Sequence, residues 1–241
     1  MAIALLIWLV MLLVILVPER ARGAESETAA ETRLDWQQVR LSFSFREPWL
    51  GIAVASLTPA GYAMCEAIFT RILRADLKQT EETIALLTGT MDPAAGVVGA
   101  LAGGFLADRF GARRVMGANM AIMTGTLFAF AATQRLWPSF TFLLIWLSVH
   151  KFAEAAYSAA FLAFAMTLSN PAIGATQFAI YMATSNSTYV WTSALGGRMA
   201  DGWGVAATFA VAGVIQLVTI GLLPLCNPRV AEARFRGGDA V

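Results

Sequence analysis

Gly96-Val-Val-Gly-Ala-Leu-Ala-Gly-Gly-Phe-Leu-Ala-Asp-Arg-Phe-Gly-Ala-Arg-Arg114 is an apolar, glycine-dense segment that runs into a short charged turn. Gly96, Gly99 and Gly103 fall on one helical face, where small residues let a second helix approach closely. The turn carries the acid Asp108, the glycine Gly111 and the arginines Arg109, Arg113 and Arg114. Such a turn marks a membrane surface, and its arginines predict the cytoplasmic side.

Composition supports a membrane setting. Hydrophobic residues make up 58% of 241 positions and charged residues only 14%, far from a soluble globular mix. The net charge of +1 gives no sign of a nucleic-acid partner. Cys65 and Cys226 both lie in apolar runs, so no disulfide framework or metal site is expected. One histidine, His150, excludes most histidine-based zinc motifs. Gly99–Gly104 has no preceding strand, so a dinucleotide loop is not expected either. No cofactor and no enzymatic activity are predicted.

Working outward, apolar segments divide the chain into an all-α membrane protein of about seven spans. Residues 1–17 are just long enough to cross a bilayer. They lack the positive start of a signal peptide, because Arg20 and Arg22 follow the apolar run. Residues 18–46 read as a cytoplasmic linker, with five arginines set against acids. A six-helix bundle is predicted over 47–226. Its spans are Pro48–Thr70, Glu82–Ala107, Val115–Ala132, Ser139–Leu168, Gly174–Gly197 and Val205–Leu225, with Arg198–Gly204 as a turn. Residues 227–241 form a cytoplasmic tail. With this topology eleven lysines and arginines fall inside and five outside, and Lys151 is left within a span. That bias matches the positive-inside rule.

The pattern Gly104-x-Leu106-Ala107-Asp108-Arg109-x-Gly111-x-Arg113-Arg114 resembles the loop signature of the major facilitator superfamily. That loop joins the second and third helices of each six-helix half. The resemblance implies a gating role for Gly104, Asp108, Arg109, Gly111, Arg113 and Arg114, with the Asp and Arg pairing to helix ends in one transporter state. Read without it, the loop is a positive-inside turn. The run Ala160-Phe-Leu-Ala-Phe-Ala-Met-Thr-Leu-Ser-Asn-Pro-Ala-Ile-Gly-Ala-Thr-Gln-Phe-Ala-Ile180, with Gly99–Gly104, is similar to the AmpG-type permeases, a branch that includes acetyl-CoA transporters. This implies proton-driven import of muropeptides across a bacterial inner membrane, with a cytoplasmic C-terminus. It also implies a C-terminal half with one preceding helix, whose partner is an N-terminal half or a second copy. The chain departs from that branch at Leu57-Thr-Pro-Ala-Gly-Tyr62, where the usual acid is missing and Glu66 lies one turn further on.

Ionisable groups inside a span are costly, so each calls for a reason. His150, Lys151 and Glu154 sit near the middle of one span. His150 and Glu154 share a helical face that Tyr157 and Phe161 extend, and Lys151 reaches Glu154 at i,i+3. One reading makes Glu154 a proton or solute site; the other makes the group a neutralised packing pair. Asp92-Pro93 reads either as an interrupted helix with free N–H groups or as a kink with Asp92 bonded to its own backbone. Glu66 is expected nearer the outer surface, in reach of water, or else part of the coupling group. Thr184-Ser-Asn-Ser-Thr-Tyr189 is polar at mid-membrane, and Tyr157, Tyr181, Asn186 and Tyr189 are the pocket candidates. These features point to a secondary transporter that sits in lipid and moves a small solute with protons. The alternatives are a related permease for another solute, acyl or drug-like, and a non-transporting subunit or remnant.

Overall fold

A computed structural model describes residues 40, 42–170 and 173–226. The predicted span at 1–17, most of the linker and the tail at 227–241 lie outside the described residues. Among the described residues every regular element is a helix, and no strand occurs. The chain is all-α, as composition and apolar periodicity predict.

Helix α1 is Arg46–Arg71, extended by a π turn at Ile72–Asp76. It contains Pro59, which cannot donate to the carbonyl four residues back. Helix α2, Glu81–Leu86, starts at Thr80, whose hydroxyl accepts the Thr83 N–H. A π turn at Leu87–Met91 joins it to α3, Asp92–Phe110. Of the two readings of Asp92-Pro93, the interrupted helix is therefore absent. Asp92 has helical angles, φ −59° and ψ −55°, and the helix runs on. The proline ring would clash with the Gly89 carbonyl in a regular α-turn; widening that turn into a π bulge relieves the clash without a break.

Gly111, at φ +89°, closes α3 and opens α4, Ala112–Ala132. A 3₁₀ turn at Gln134–Leu136 leads to α5, Phe140–Leu168, which Ser139 caps by accepting the Phe142 N–H. Helix α6 spans Gly174–Trp203 and α7 spans Val205–Leu222. The turn expected over Arg198–Gly204 is overturned, because α6 stays helical to Trp203 and only Gly204 reverses the chain. At φ +86° and ψ 161° Gly204 occupies a region open only to glycine, whereas no proline or β-branched run between Arg198 and Trp203 ends the helix earlier.

Four described helical rods are long and apolar enough to cross a membrane: Arg46–Asp76, Glu81–Phe110, Ala112–Ala132 and Val205–Leu225. Helices α5 and α6 are as long, at 29 and 30 residues. Their central polar residues, His150-Lys151 with Glu154 and Thr184–Tyr189, dilute their apolar character.

Small residues set the packing. Helix α3 lies on α5, where a Cβ at Gly99 or Gly103 would strike the Phe152 or Ala156 backbone. Gly196 gives α6 the same close approach to Met64 of α1. Gly96, predicted to share this face, has open space around it. Helix α4 packs between α5 and α7, and α1 packs on α6 and α7. The apolar core forms two clusters. One gathers Phe69, Phe130, Trp146 and Phe209; the other gathers Met116, Met120, Tyr157 and Phe164. Along α5 they meet between Leu147 and Ala153, where the charged residues lie.

Candidate functional site

The Lys151 ammonium is the centre of the site. Its Nζ lies 2.7 Å from Glu66 Oε1 of α1 and 3.0 Å from Glu154 Oε2 of α5. Asp92 Oδ2 of α3 is 3.8 Å away. Tyr189 of α6 adds a fourth helix by donating its hydroxyl to Glu66 Oε2 at 2.8 Å. One cation thus draws three carboxylates from three helices together, and a phenol ties in another. Charge does not balance within this group: three acids face one ammonium.

Burial is graded. The side chains of Lys151 and Glu154 are each 15% exposed, Asp92 24% and Glu66 40%. Glu154 is the inner acid and Glu66 the one on the bundle surface. A cavity of about 110 Å³ opens beside them, lined also by Thr88, Trp146 and His150. The spacing of α5 explains this arrangement: Trp146, His150 and Glu154 succeed one another at i,i+4 and lie along one stripe.

His150 belongs to the cavity wall but forms no ion pair. It is buried, stacks on Trp146 at 5.1 Å between centroids, and pairs Nδ1 with Thr126 Oγ1 at 2.7 Å. Thr126 also reaches the Met123 carbonyl at 2.7 Å. A hydroxyl hydrogen committed to Met123 leaves the imidazole to donate through Nδ1. Trp146 Nε1 donates to the Thr126 carbonyl at 2.8 Å, so α4 holds both rings.

Several expectations change here. Glu66 does not simply reach water, because Lys151 and Tyr189 hold both its oxygens. Asp92 turns towards Lys151. The four pocket candidates are not gathered. Tyr189 lies in the site, and its ring is 6.1 Å from that of Tyr62. Tyr157 is buried in the core against Phe161. Tyr181 is buried elsewhere and accepts from Gln177 Nε2 at 3.1 Å. Asn186 is exposed on α6. On a helix, 186 and 189 share a side while 181 points away, so polarity alone could not sort them.

Reading the sequence missed Thr88, Thr126, Trp146 and Tyr62. Trp146 was legible one turn before His150. The threonines carried no signal, since each also bonds its own helix backbone.

The arginine loop lies apart from this cluster. Gly111 supplies its positive φ, and nothing approaches Gly104 within 4 Å. Among the described residues Asp108 and Arg109 form no ion pair, and Arg109 lies over the Phe110 ring at 5.7 Å. The link to a neighbouring helix end comes from Arg113, whose Nη1 donates to the Cys226 carbonyl at 3.1 Å. Arg114 is exposed. Among the described residues no group of His, Cys, Asp or Glu has a geometry suited to a metal ion.

The family model described as Major Facilitator Superfamily matches residues 67–238, more than two thirds of the chain. No curated protein gives a significant match.

Proposed function

The chain belongs to the major facilitator superfamily, a family of secondary membrane transporters, and we propose that its Lys151 cluster couples proton movement to import of a muropeptide-like solute. The carrying observation is the sharing of one ammonium by carboxylates of α1, α3 and α5. A proton taken up by Glu154 or Glu66 removes one charge and releases one bond to Lys151. The released ammonium then moves towards the remaining acids, and the helices that carry them re-pack. Loss of the proton restores the present pairing. Glu66, the most exposed acid, meets the solute side first. Glu154, the inner acid, is the coupling residue.

Glu66 and Tyr189 open on the surface of this bundle, and a transporter site lies between two repeats. An N-terminal half or a second copy supplies the opposite wall. The muropeptide assignment is supported by the likeness of Ala160–Ile180 and Gly99–Gly104 to the AmpG-type permeases. A related permease for another solute is the second reading. It is favoured by one observation: Leu57–Tyr62 lacks that branch's acid, and Glu66 replaces it one turn later. The expected setting is a bacterial inner membrane.

Uptake of labelled anhydromuropeptide into inner-membrane vesicles under an imposed pH gradient tests both parts. Uptake should require the gradient, rise as the outer pH falls, and be lost in Glu154→Gln. Gradient-driven uptake that survives Glu154→Gln would sink the coupling assignment. A well-inserted chain that draws protons from the outer medium, and so alkalinises it, with other solutes but never with muropeptide would move the assignment to the second reading.

A further inference from the structure

Two grooves flank Arg114 where α4 leaves the arginine loop. The first, about 330 Å³, runs between α4 and the end of α7 with the 3₁₀ turn Leu223–Leu225 that follows it, over Gly117, Ala118, Ile220 and Leu223, and Arg113 and Arg114 line it too. The second, about 250 Å³, runs between α3 and α4 over Leu106, Phe110 and Ala118, again with Arg114. The guanidinium of Arg114 therefore stands between two apolar channels.

Among the described residues the charge at this place meets no acid. Among the described residues neither Arg113 nor Arg114 pairs with a carboxylate. Arg113 gives one N–H to the Cys226 carbonyl, which anchors it beside the first groove, and a guanidinium carries further N–H donors beyond that one. Asp108, the acid of the loop, lines neither groove. A loop ending a membrane span lies at headgroup depth, where basic pockets between helices attract anionic headgroups.

We propose that these grooves form a binding site for an anionic phospholipid. Its phosphodiester sits on Arg113 and Arg114, and its acyl chains lie in the grooves on either side of Arg114. Guanidinium forks match phosphate oxygens in pairs. A zwitterionic lipid offers the same phosphate but brings its own ammonium against two arginines, so the site discriminates by headgroup charge. Gly117 keeps the first groove open: a Cβ there would meet Leu223 Cδ2 at 3.3 Å.

The test is native mass spectrometry of the purified full chain with equal amounts of phosphatidylglycerol and phosphatidylcholine of identical chains. The expected result is preferential retention of phosphatidylglycerol, falling by about fivefold for each of Arg113→Gln and Arg114→Gln. Gly117→Leu should lower retention of both lipids while leaving the headgroup preference. Circular dichroism and melting confirm that each variant is folded. Equal retention of the two lipids, or a preference that survives the double arginine variant, would overturn the proposal. Displacement of bound lipid by inorganic phosphate alone at matched concentration would also overturn it, since the site would then take a free anion.

Discussion

Lys151 is held by more acid than it can neutralise, and this decides what its removal does. Lys151→Met leaves Glu66, Asp92 and Glu154 facing one another around a cavity, without a cation. Breaking a buried pair on one side costs about 3 kcal/mol or more. The expected outcome is a lower melting temperature in detergent and loss of uptake. The double variant Lys151→Met with Glu154→Gln should recover much of the stability but none of the gradient-driven uptake. Equal stability of Lys151→Met and wild type would show that water already screens the cluster. His150 behaves differently because it carries no ion pair. Thr126→Val removes its Nδ1 partner and should weaken uptake less than Glu154→Gln does. A reversed order in a vesicle uptake assay would shift the functional centre to the imidazole.

At the scale of helices, α3 and α5 meet through glycine, and adjacent glycines separate the structural from the permissive position. Gly103→Ala puts a methyl group into the Ala156 backbone. Overpacking of that kind costs about 1–3 kcal/mol, and α3 must shift away from α5, carrying Asp92 from Lys151. Gly104→Ala meets nothing within 4 Å and should be neutral or slightly stabilising, by about 0.5 kcal/mol, since alanine is the better helix former. Thermal unfolding of the two variants side by side checks this. A Gly104→Ala chain that melts lower than Gly103→Ala would mean that the helices pack on a different face. Pro93 acts at the same scale. It follows the π bulge at Leu87–Met91, which lets the helix continue into α3, where Asp92 faces Lys151.

For the whole molecule, the distribution of arginine predicts an orientation with the arginine loop on the cytoplasmic side. Cys65 and Cys226 are free and buried, so they give little background to a cysteine-labelling experiment. Gln134→Cys, on the short turn after α4, should react with a membrane-impermeant maleimide in intact cells. Phe110→Cys, beside the arginine loop, should react only after the membrane is opened. Both side chains are exposed. The opposite pattern would place the arginine loop outside.

Residue order alone determined the helical class and most helix positions between residues 46 and 222, because each depends on local patterning. Apolar runs of span length, glycine at reversals and arginine in turns are readable without knowing any neighbour. The i,i+3 pair of Lys151 and Glu154 was legible for the same reason, since both residues share one helix. Glu66 was a candidate, but its pairing was not legible, because its partners lie on α5 and α6, 85 and 123 positions away. Asp92-Pro93 read either as a break or as a kink because its residue types fit a helix start, and only the wider turn before it shows that the helix continues. The tyrosines of α6 looked equivalent in sequence; packing of α6 against α1 decided that Tyr189 meets Glu66 and that Tyr181 is buried with Gln177. Tertiary structure thus decided which charges share one ammonium, since that depends on how far helices approach and rotate. In this chain the approach is set by Gly99, Gly103 and Gly196, and the run of α2 into α3 by the bulge at Leu87–Met91.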